Sequence, residues 1–289
     1  MSKTRPTMAH PGPRAQTRVE TLSVALKPIT GTLRAGQVLM AEVDRLFREA
    51  GLYGGVLTLS NGHCDPFHYV IPDESPDAQH AAWYSRTYAP AGGATIEAAV
   101  AIVGMRDGAR FLHAHGRWTP AEAGLPAAGH ILPFDTILAE DMTVSGLGSV
   151  ESGFDSLPDP ETNFTLFTPA GSPSDQGSGL FLRLRPAEDV VSAIETACSQ
   201  AGIDRARVHG IGSVNHVVYA DGRTVPCHAT EIYIEGGRVE DGRATLPVTV
   251  VDIAGSVTAG ELLAGDNPVG VTFEIVVEAD RSSDAVAAV

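Results

Sequence analysis

Phe111-Leu112-His113-Ala114-His115 places two histidines one residue apart in a stretch whose other members are apolar. Alternate side chains of a β-strand share a face, so His113 and His115 project together, roughly 6–7 Å apart at two residue rises. Two imidazoles at this spacing can hold one divalent ion. The stretch therefore predicts a β-strand that carries part of a metal site. The alternative interpretation is a histidine pair on a polar sheet face that binds no metal.

A third imidazole follows in Ala128-Gly129-His130, after a loop of hairpin length. A return strand would bring His130 back beside His113 and His115. Three histidine ligands leave one position of a tetrahedral zinc ion open for water or substrate, as in catalytic sites. If a protein carboxylate such as Glu97 filled that position, the zinc would be structural instead.

The segments around these histidines have counterparts later in the chain. Leu33-Arg34 precedes a helical pattern that ends at Gly51, and Leu184-Arg185 precedes one that ends at Gly202. Strand patterns separated by Gly- and Pro-containing turns follow in both halves, in the same order. The sequence therefore predicts an α+β fold built from a duplicated domain. Each copy has one main helix and a mostly antiparallel or mixed sheet.

Composition along the chain predicts five parts. The first twenty residues are rich in proline and basic side chains and show no helical or strand period, so we expect an arm that is either mobile or laid across the body of the protein. A later stretch rich in proline, glycine and serine predicts a linker. The predicted division is an arm at 1–20, a first domain with the metal site at 21–168, a linker at 169–179, a second domain at 180–280 and a tail at 281–289.

Charge and hydropathy exclude several classes of function. The chain is 43% hydrophobic, enough for a substantial core, and its net charge of −15 opposes contact with nucleic-acid phosphates and anionic membranes. No apolar run approaches the ~20 residues of a membrane span, and the N-terminus lacks the apolar segment of a signal peptide. The three cysteines show no CxxC spacing. We therefore expect a cytoplasmic globular protein with no membrane partner and no nucleic-acid partner.

Together, these motifs resemble the plant and prokaryote conserved (PPC) domain, also called domain of unknown function 296. That family has a Glu-led strand, an HxH strand, a Gly-Gly-His-Leu turn and a later Glu-bearing strand. In this chain Glu97 precedes an apolar run, Gly129-His130-Ile131 is similar to the turn, and Glu140 fits the later glutamate. Leu33-Arg34-Ala35-Gly36-Gln37 is similar to the family's Arg-x-Gly-(Glu/Gln) start.

The resemblance covers nearly the whole chain, once over about 30–165 and again over 180–280, and is strongest to the bacterial tandem subgroup. It implies two tandem PPC-like domains, each with a highly twisted sheet, usually assembled as trimers. It also implies that the three matched histidines bind zinc, one ion per chain in the first domain. Plant members bind DNA through an AT-hook, but this sequence has no Arg-Gly-Arg-Pro core, so that function is not expected here.

The second half departs from the family pattern. Pro247-Val248-Thr249-Val250 stands where the HxH pair belongs, and Glu261 replaces the histidine of the turn. With no imidazole at these positions, the second domain is predicted to have lost its metal. It would then serve structure, oligomerisation or one wall of the first domain's pocket.

Two functions remain open at this point. A three-histidine zinc ion can polarise a carbonyl or activate water, with Glu97 or Glu140 as general base or as a partner of the ligands, Arg86 holding a substrate carboxylate and His63 near the substrate. Because neutral imidazoles leave the charge of the ion uncompensated, the expected ligand is a small anionic metabolite, acted on by a hydrolase, lyase or isomerase. The alternative is a non-catalytic module that senses a ligand or binds a DNA or protein partner.

Overall fold

The computed structural model describes residues 8–175 and 177–280; the predicted tail at 281–289 and the first seven residues of the arm lie outside these ranges. The first half contains β1 (Val19–Val24), β2 (Lys27–Leu33), α1 (Leu39–Glu49), β3 (Gly54–Leu59), β4 (Gly62–Cys64), β5 (Tyr69–Val70), β6 (Pro72–Asp73), β7 (Trp83–Tyr84), β8 (Ala94–Arg106), β9 (Ala109–Pro120), β10 (Ala128–Ile131), β11 (Met142–Ser149), β12 (Ser152–Pro158) and β13 (Thr165–Gly171). The second half contains β14 (Gly179–Leu184), α2 (Val190–Gln200), β15 (Ala206–Val214), β16 (Val217–Val218), β17 (Thr224–Val225), β18 (Thr230–Ile234), β19 (Gly237–Glu240), β20 (Arg243–Thr245), β21 (Pro247–Asp252), β22 (Val257–Glu261) and β23 (Val269–Ala279).

Two large sheets have the same strand order. The first runs β2-β11-β3-β8-β9-β10 and the second runs β14-β23-β15-β18-β21-β22, with neighbours in each series paired antiparallel. In each series one helix joins the first-named strand to the third, α1 in the first sheet and α2 in the second. The predicted α+β fold, with two mostly antiparallel sheets and one main helix each, is confirmed. Neither helix in the described ranges is long and apolar enough to span a bilayer.

Each helix covers the outer face of its sheet because its apolar residues recur at helical spacing. In α1, Leu39, Val43 and Phe47 are buried and form one core with Leu112 and Ala114 of β9. The second core is built in the same way around α2. Both sheets therefore have one face buried beneath a helix and the opposite face free to pack elsewhere.

The remaining faces of the two sheets pack on each other. Val100 and Ile102 of β8 contact a third apolar cluster that also contains Ile211 and Tyr233 of the second sheet. Side chains alternate along a strand, so the neighbours of Leu112 and Ala114 on β9 point towards this interface. His113 and His115 therefore lie between the two sheets rather than on an open surface.

Two strand pairings cross the predicted boundaries between arm, first domain and linker, and the division into domains stays a prediction. β1 pairs along its length with β14, so residue 21, the predicted start of the first domain, lies in a strand of the second sheet. β13 pairs with β12 as far as Gly171, so the predicted linker begins inside a strand of the first sheet. The partner of β1 is distant along the chain, and no local pattern indicates such a pairing.

The described part of the arm lies across the body of the protein. His10 Nε2 is 2.8 Å from the carbonyl of Gly270, and the backbone N–H of Gly12 donates to the carbonyl of Glu161. A Cβ atom at Gly12 would lie 1.6 Å from the carbonyl oxygen of Pro160, so only glycine allows this approach. Residues 8–18 of the predicted arm are therefore laid across the body of the protein.

A cluster of buried ion pairs joins the arm to both sheets. Asp159, which follows β12, contacts Arg183 and Arg185 of the segment around β14. Arg185 also pairs with Glu20 of β1 at 2.6 Å, and Glu161 pairs with Arg18 at 2.7 Å. The Asp159 side chain is 0% exposed and that of Arg183 is 2% exposed, so each is neutralised inside the protein.

A second buried carboxylate, Glu42, gives a pH-dependent prediction. Burial raises its pKa, but hydrogen bonds from Arg34 and Arg45 outweigh that effect and lower the pKa from 4.5 to about 2. Glu42 should therefore stabilise the fold fully above pH 4.5 and lose this contribution as the pH falls to about 2. We expect Glu42→Gln to lower the free energy of unfolding by about 2 kcal/mol at pH 7. This value is smaller than the one that the pKa shift alone implies, because Arg34 is largely exposed and solvent screens its charge.

Urea unfolding of the two proteins at several pH values measures this effect. The difference between wild type and Glu42→Gln should shrink between pH 4.5 and pH 2. Glu49→Gln is the control, because Glu49 also pairs with Arg45 but is 61% exposed. A difference that stays constant through this pH range would contradict the assigned role of Glu42.

Candidate metal centre

The three predicted histidine ligands lie together at the interface of the two sheets. β10 returns antiparallel beside β9, so that His130 is directly opposite His115, two residues beyond His113. The ring centroids are 4.6 Å apart for His113 and His115, 4.9 Å for His113 and His130, and 5.4 Å for His115 and His130. One nitrogen from each ring lies within 4.8 Å of the others, so the three can hold a metal ion.

The return strand depends on Gly129, which precedes His130. Its φ of +153° and its position leave no room for a side chain, since a Cβ atom would lie 2.3 Å from the carbonyl oxygen of Val70. β10 pairs with β9 on one side and with β5, which contains Val70, on the other. Glycine therefore allows the close strand approach that brings His130 to the other two rings.

The outer nitrogens of the two β9 histidines are both occupied. His115 Nδ1 is 3.0 Å from the carbonyl oxygen of Ile232, and His113 Nδ1 is 2.9 Å from Glu274 Oε2. Carbonyl and carboxylate oxygens accept hydrogen bonds, so both Nδ1 atoms donate and both Nε2 atoms carry a lone pair. Acceptors of this kind commonly orient metal-bound histidines.

The inner nitrogens fit a divalent metal ion. His113 Nε2 and His115 Nε2 are 2.9 Å apart, and two facing lone pairs at that distance repel unless a cation or a proton lies between them. In a tetrahedral zinc site with bonds of about 2.0–2.1 Å, ligand atoms lie about 3.3 Å apart. His130 Nδ1 is also buried and has no hydrogen-bond partner. The three residues present therefore fit the metal that the sequence predicts.

Two carboxylates of the second domain complete the surroundings of the histidines. Glu274 of β23 holds His113, and its other oxygen accepts a hydrogen bond from Thr272. Glu231 of β18 places Oε1 3.8 Å from His115 Nε2 and 3.9 Å from His130 Nδ1. Neither Glu231 nor Glu274 was predicted from the sequence to belong to the site. A charged residue inside an otherwise apolar strand is the signal that could have indicated both.

Burial shifts the protonation of these groups. It lowers the pKa of His115 and of His130 well below the usual value, and the neighbouring histidines lower both further. Burial also raises the pKa of Glu231 well above its usual value. The imidazoles of His115 and His130 are therefore neutral at pH 7, which is the form that binds metals.

A pocket with a cavity volume of about 70 Å³ adjoins His113 and His115. Tyr84 packs edge-on against His130, with centroids 5.2 Å apart. Desolvation, with the nearby carboxylates of Glu231 and Glu274, raises the pKa of its phenol, which stays protonated. The other lining residues are mostly apolar or uncharged and come from both domains: Met8, Pro72, Ala82, Trp83, Phe164, Leu166, Gly212, Ser213, Ala229, Thr230, Val271 and Thr272.

The sequence model of the Plants and Prokaryotes Conserved (PCC) domain matches residues 171–279. The second half of the chain contains a PCC domain. The match covers β14 to β23 and confirms the resemblance to the plant and prokaryote conserved domain in the second half. The three histidines precede the matched range, whereas Glu231 and Glu274 lie within it. A comparison with curated proteins finds no match.

Several solved structures are similar to parts of the chain. A metal-containing protein from Archaeoglobus fulgidus is 17% identical over 52% of this chain and 99% of its own, with a TM-score of 0.40. A plant- and prokaryote-conserved protein from Pyrococcus horikoshii is 21% identical over 37% of this chain and 81% of its own, with a TM-score of 0.30. A protein from Ralstonia eutropha described as a candidate DNA-binding protein is 16% identical over 50% of this chain and 90% of its own, with a TM-score of 0.34.

The two glutamates predicted as catalytic lie elsewhere. Glu97 is 43% exposed, accepts a hydrogen bond from Thr119 Oγ1 at 2.6 Å and sits where the pairing of β8 with β9 shifts register. Glu140 is exposed and accepts the backbone N–H of His63 at 2.9 Å. Within the described ranges, no hydrogen bond or ion pair joins either carboxylate to the three histidines. Their catalytic roles stay predictions without support from contacts.

The two residues predicted to bind substrate do not line the pocket either. Arg86 lies over the ring of Tyr88, 4.9 Å from its centroid, and is exposed. His63 Nδ1 is 3.1 Å from Thr95 Oγ1. In the segment that contains Arg86, Tyr84 is the side chain that lines the pocket and contacts His130. Strand alternation and turns decide which side chain of such a segment points inward, and the sequence alone does not locate the turns around β6 and β7.

The PCC domain supplies one wall of the pocket. Where the family pattern places its HxH pair, β21 carries Thr249 and its apolar neighbours, and Glu261 pairs in register with Pro247. A search of residues 8–175 and 177–280 for three metal-binding side chains close enough to hold an ion finds His113, His115 and His130, and no such group in the second half. Loss of metal from the second domain stays a prediction.

Proposed function

We propose that this PCC-domain protein binds one divalent ion per chain, with zinc as the foremost candidate, at His113, His115 and His130. The observation that carries the proposal is the 2.9 Å approach of two Nε2 atoms whose outer nitrogens both face acceptors. Such an arrangement is unfavourable unless a proton or a metal ion lies between the two nitrogens, and a divalent ion would bind both. The match in strand order supports a further part of the proposal, that the two halves are tandem copies of one domain.

The best-supported activity is metal-dependent chemistry on a small molecule in the adjoining pocket, of the hydrolase, lyase or isomerase type. The ion, when bound, would polarise a carbonyl or activate water. Glu274 orients His113, and the carbonyl of Ile232 orients His115, so the Nε2 atoms of both rings already face each other. Tyr84 offers a protonated phenol beside His130 as a hydrogen-bond donor.

The surroundings of the site favour a neutral substrate over the small anion predicted from the sequence. Trp83, Phe164 and Leu166 offer apolar contacts, and Arg86, the cation predicted to hold a carboxylate, is not in the lining. Glu231 and Glu274, when ionised, together balance the charge of a divalent ion, so an additional anion gains little. We therefore propose a molecule with an aromatic or aliphatic body and a polarisable carbonyl or hydroxyl group.

The proposal also covers nucleic-acid binding and the oligomeric state. A net charge of −15 opposes phosphate contact, so duplex DNA is not proposed as a partner. A trimer-based assembly follows from the family resemblance alone. A non-catalytic module that senses a small molecule would use the same pocket and ion, and it differs from the enzyme only in leaving the bound molecule unchanged.

Metal stoichiometry tests the proposed function. Protein freed of metal by a chelator and titrated with Zn²⁺ against a chromophoric competitor should take up one ion per chain. Glu261→Ala should take up the same amount, because Glu261 lies on β22 without a neighbouring imidazole pair. No stoichiometric uptake by the wild type would overturn the proposal. Two ions per chain, with one lost in Glu261→Ala, would show instead that the second domain keeps a site.

A further inference from the structure

Glu231 is a buried carboxylate that no basic side chain neutralises in the described chain. It is 6% exposed, its Oε2 atom is buried without a hydrogen-bond partner, and its ion-pair partners are His115 and His130. An ionised carboxylate in such surroundings is strongly unfavourable unless a cation or several hydrogen bonds compensate it. Within residues 8–175 and 177–280, the side chains that form ion pairs with Glu231 are two potential metal ligands.

The distances allow direct coordination. Glu231 Oε1 is 3.8 Å from His115 Nε2 and 3.9 Å from His130 Nδ1, on the side of the cluster that faces the second domain. Ligand atoms around a tetrahedral ion lie about 3.3 Å apart, so a shift of less than about 1 Å would bring the oxygen into the coordination sphere. The terminal torsion of a glutamate is soft, which makes this movement inexpensive.

Glu274 differs from Glu231 in a way that separates their roles. Both oxygens of Glu274 are occupied, one by His113 Nδ1 at 2.9 Å and the other by the hydroxyl of Thr272 at 3.2 Å. Glu274 is therefore a positioning residue that acts through His113. Glu231 has one oxygen directed at the histidines and one with no partner, so it is free to bind an ion.

We propose that Glu231 is the fourth protein ligand of the metal ion, so that the ion joins the two domains. This inference rests on the proposed function, because it requires the three-histidine site. Its structural consequence is that β9 and β10 of the first domain and β18 of the second share one metal ion. Zinc can accept a fifth ligand, so a water or a substrate group can still bind from the pocket.

The experiment compares full-length wild type, Glu231→Gln and Glu240→Gln. Glu240 is a matched control, since it lies in the same domain but is 58% exposed and distant from the histidines in the sheet. Each protein is freed of metal, titrated with Zn²⁺ against a chromophoric competitor, and loaded with Co²⁺ for visible absorption. Thermal unfolding is recorded with and without Zn²⁺.

We expect Glu231→Gln to bind Zn²⁺ at least about 100-fold more weakly than wild type. Loss of a residue that only hydrogen-bonds a metal ligand typically weakens metal binding by about 10- to 100-fold, so a larger loss indicates direct coordination. Its Co²⁺ bands should shift because an anionic oxygen ligand is lost, and Glu240→Gln should match wild type in both measurements. The metal-free Glu231→Gln protein should unfold at or above the temperature of metal-free wild type, since a buried unpaired carboxylate is removed.

Two results would overturn the inference while leaving the three-histidine site intact. One is Zn²⁺ affinity of Glu231→Gln within about threefold of wild type, with unchanged Co²⁺ bands, which is below the effect of even an outer partner. The other is a metal-free Glu231→Gln protein that unfolds well below metal-free wild type, which would give Glu231 a structural role independent of metal. Absence of Zn²⁺ binding by wild type would instead refute the proposed function itself.

Discussion

Replacing His115 with alanine is expected to abolish stoichiometric metal binding, with an affinity loss of more than about 100-fold, beyond that of outer partners. His115 is the most buried of the three histidines, at 3% exposure, and its Nε2 atom is 2.9 Å from that of His113. Without it, His113 and His130 are the remaining imidazoles, and a zinc site that has lost one of its ligands holds the ion weakly. Competition titration of the metal-free variant with Zn²⁺ measures the loss.

His63→Ala is the matched control for this prediction. The sequence predicted that His63 lies near the substrate, but its Nδ1 atom contacts Thr95 and it is outside the pocket lining. We expect its Zn²⁺ affinity to equal that of wild type. Full retention of metal by His115→Ala, or equal losses in both variants, would show that the metal is held elsewhere.

The largest expected effect on stability comes from Asp159→Asn. Burial raises the pKa of Asp159, but Arg183, the backbone N–H of Glu161 and Arg185 outweigh it and hold the pKa below its usual value of 3.8. Removing this carboxylate leaves Arg183, only 2% exposed, as a buried cation with its nearest partner gone. The free energy of unfolding should fall by about 3–5 kcal/mol. Urea unfolding at pH 7 measures it.

A surface ion pair of the same type separates burial from pairing. Asp221 contacts Arg223 at 2.8 Å, and both side chains are more than half exposed, so Asp221→Asn should change stability far less than Asp159→Asn. The double variant Asp159→Asn with Arg183→Met should be more stable than Asp159→Asn alone, because the buried cation that has lost its nearest partner is also removed. Equal effects of Asp159→Asn and Asp221→Asn would contradict a special contribution from the buried cluster.

Features that depend on neighbours along the chain could be predicted from the sequence. The apolar spacing before Gly51 predicted a helix, and α1 spans Leu39–Glu49, with Gly51 at a φ of +65° just beyond it. The alternation of side chains on a strand placed His113 and His115 on one face. A loop of hairpin length then brought His130 opposite His115. Each of these relations involves one strand or one short return, so local geometry is sufficient to determine it.

Features that depend on contacts between distant segments could not be predicted. Glu231 and Glu274 reach the histidines only because the free faces of the two sheets pack on each other, and no spacing in the sequence encodes that packing. Glu97 resembles the family glutamate in sequence, yet a shift of register in β8 leaves it exposed beside Thr119. The pairing of β1 with β14 is likewise a long-range choice.

By itself, then, the sequence determined the two α+β halves and the three imidazoles of the candidate centre, because helical and strand periods act over a few residues. The tertiary structure alone decided which carboxylates face those imidazoles, which aromatic side chains border the pocket and where the arm lies. These depend on the relative placement of two sheets, which is set by the sum of many weak apolar contacts such as those of Val100, Ile102 and Ile211. The relative placement of the two sheets therefore cannot be predicted from any single sequence motif.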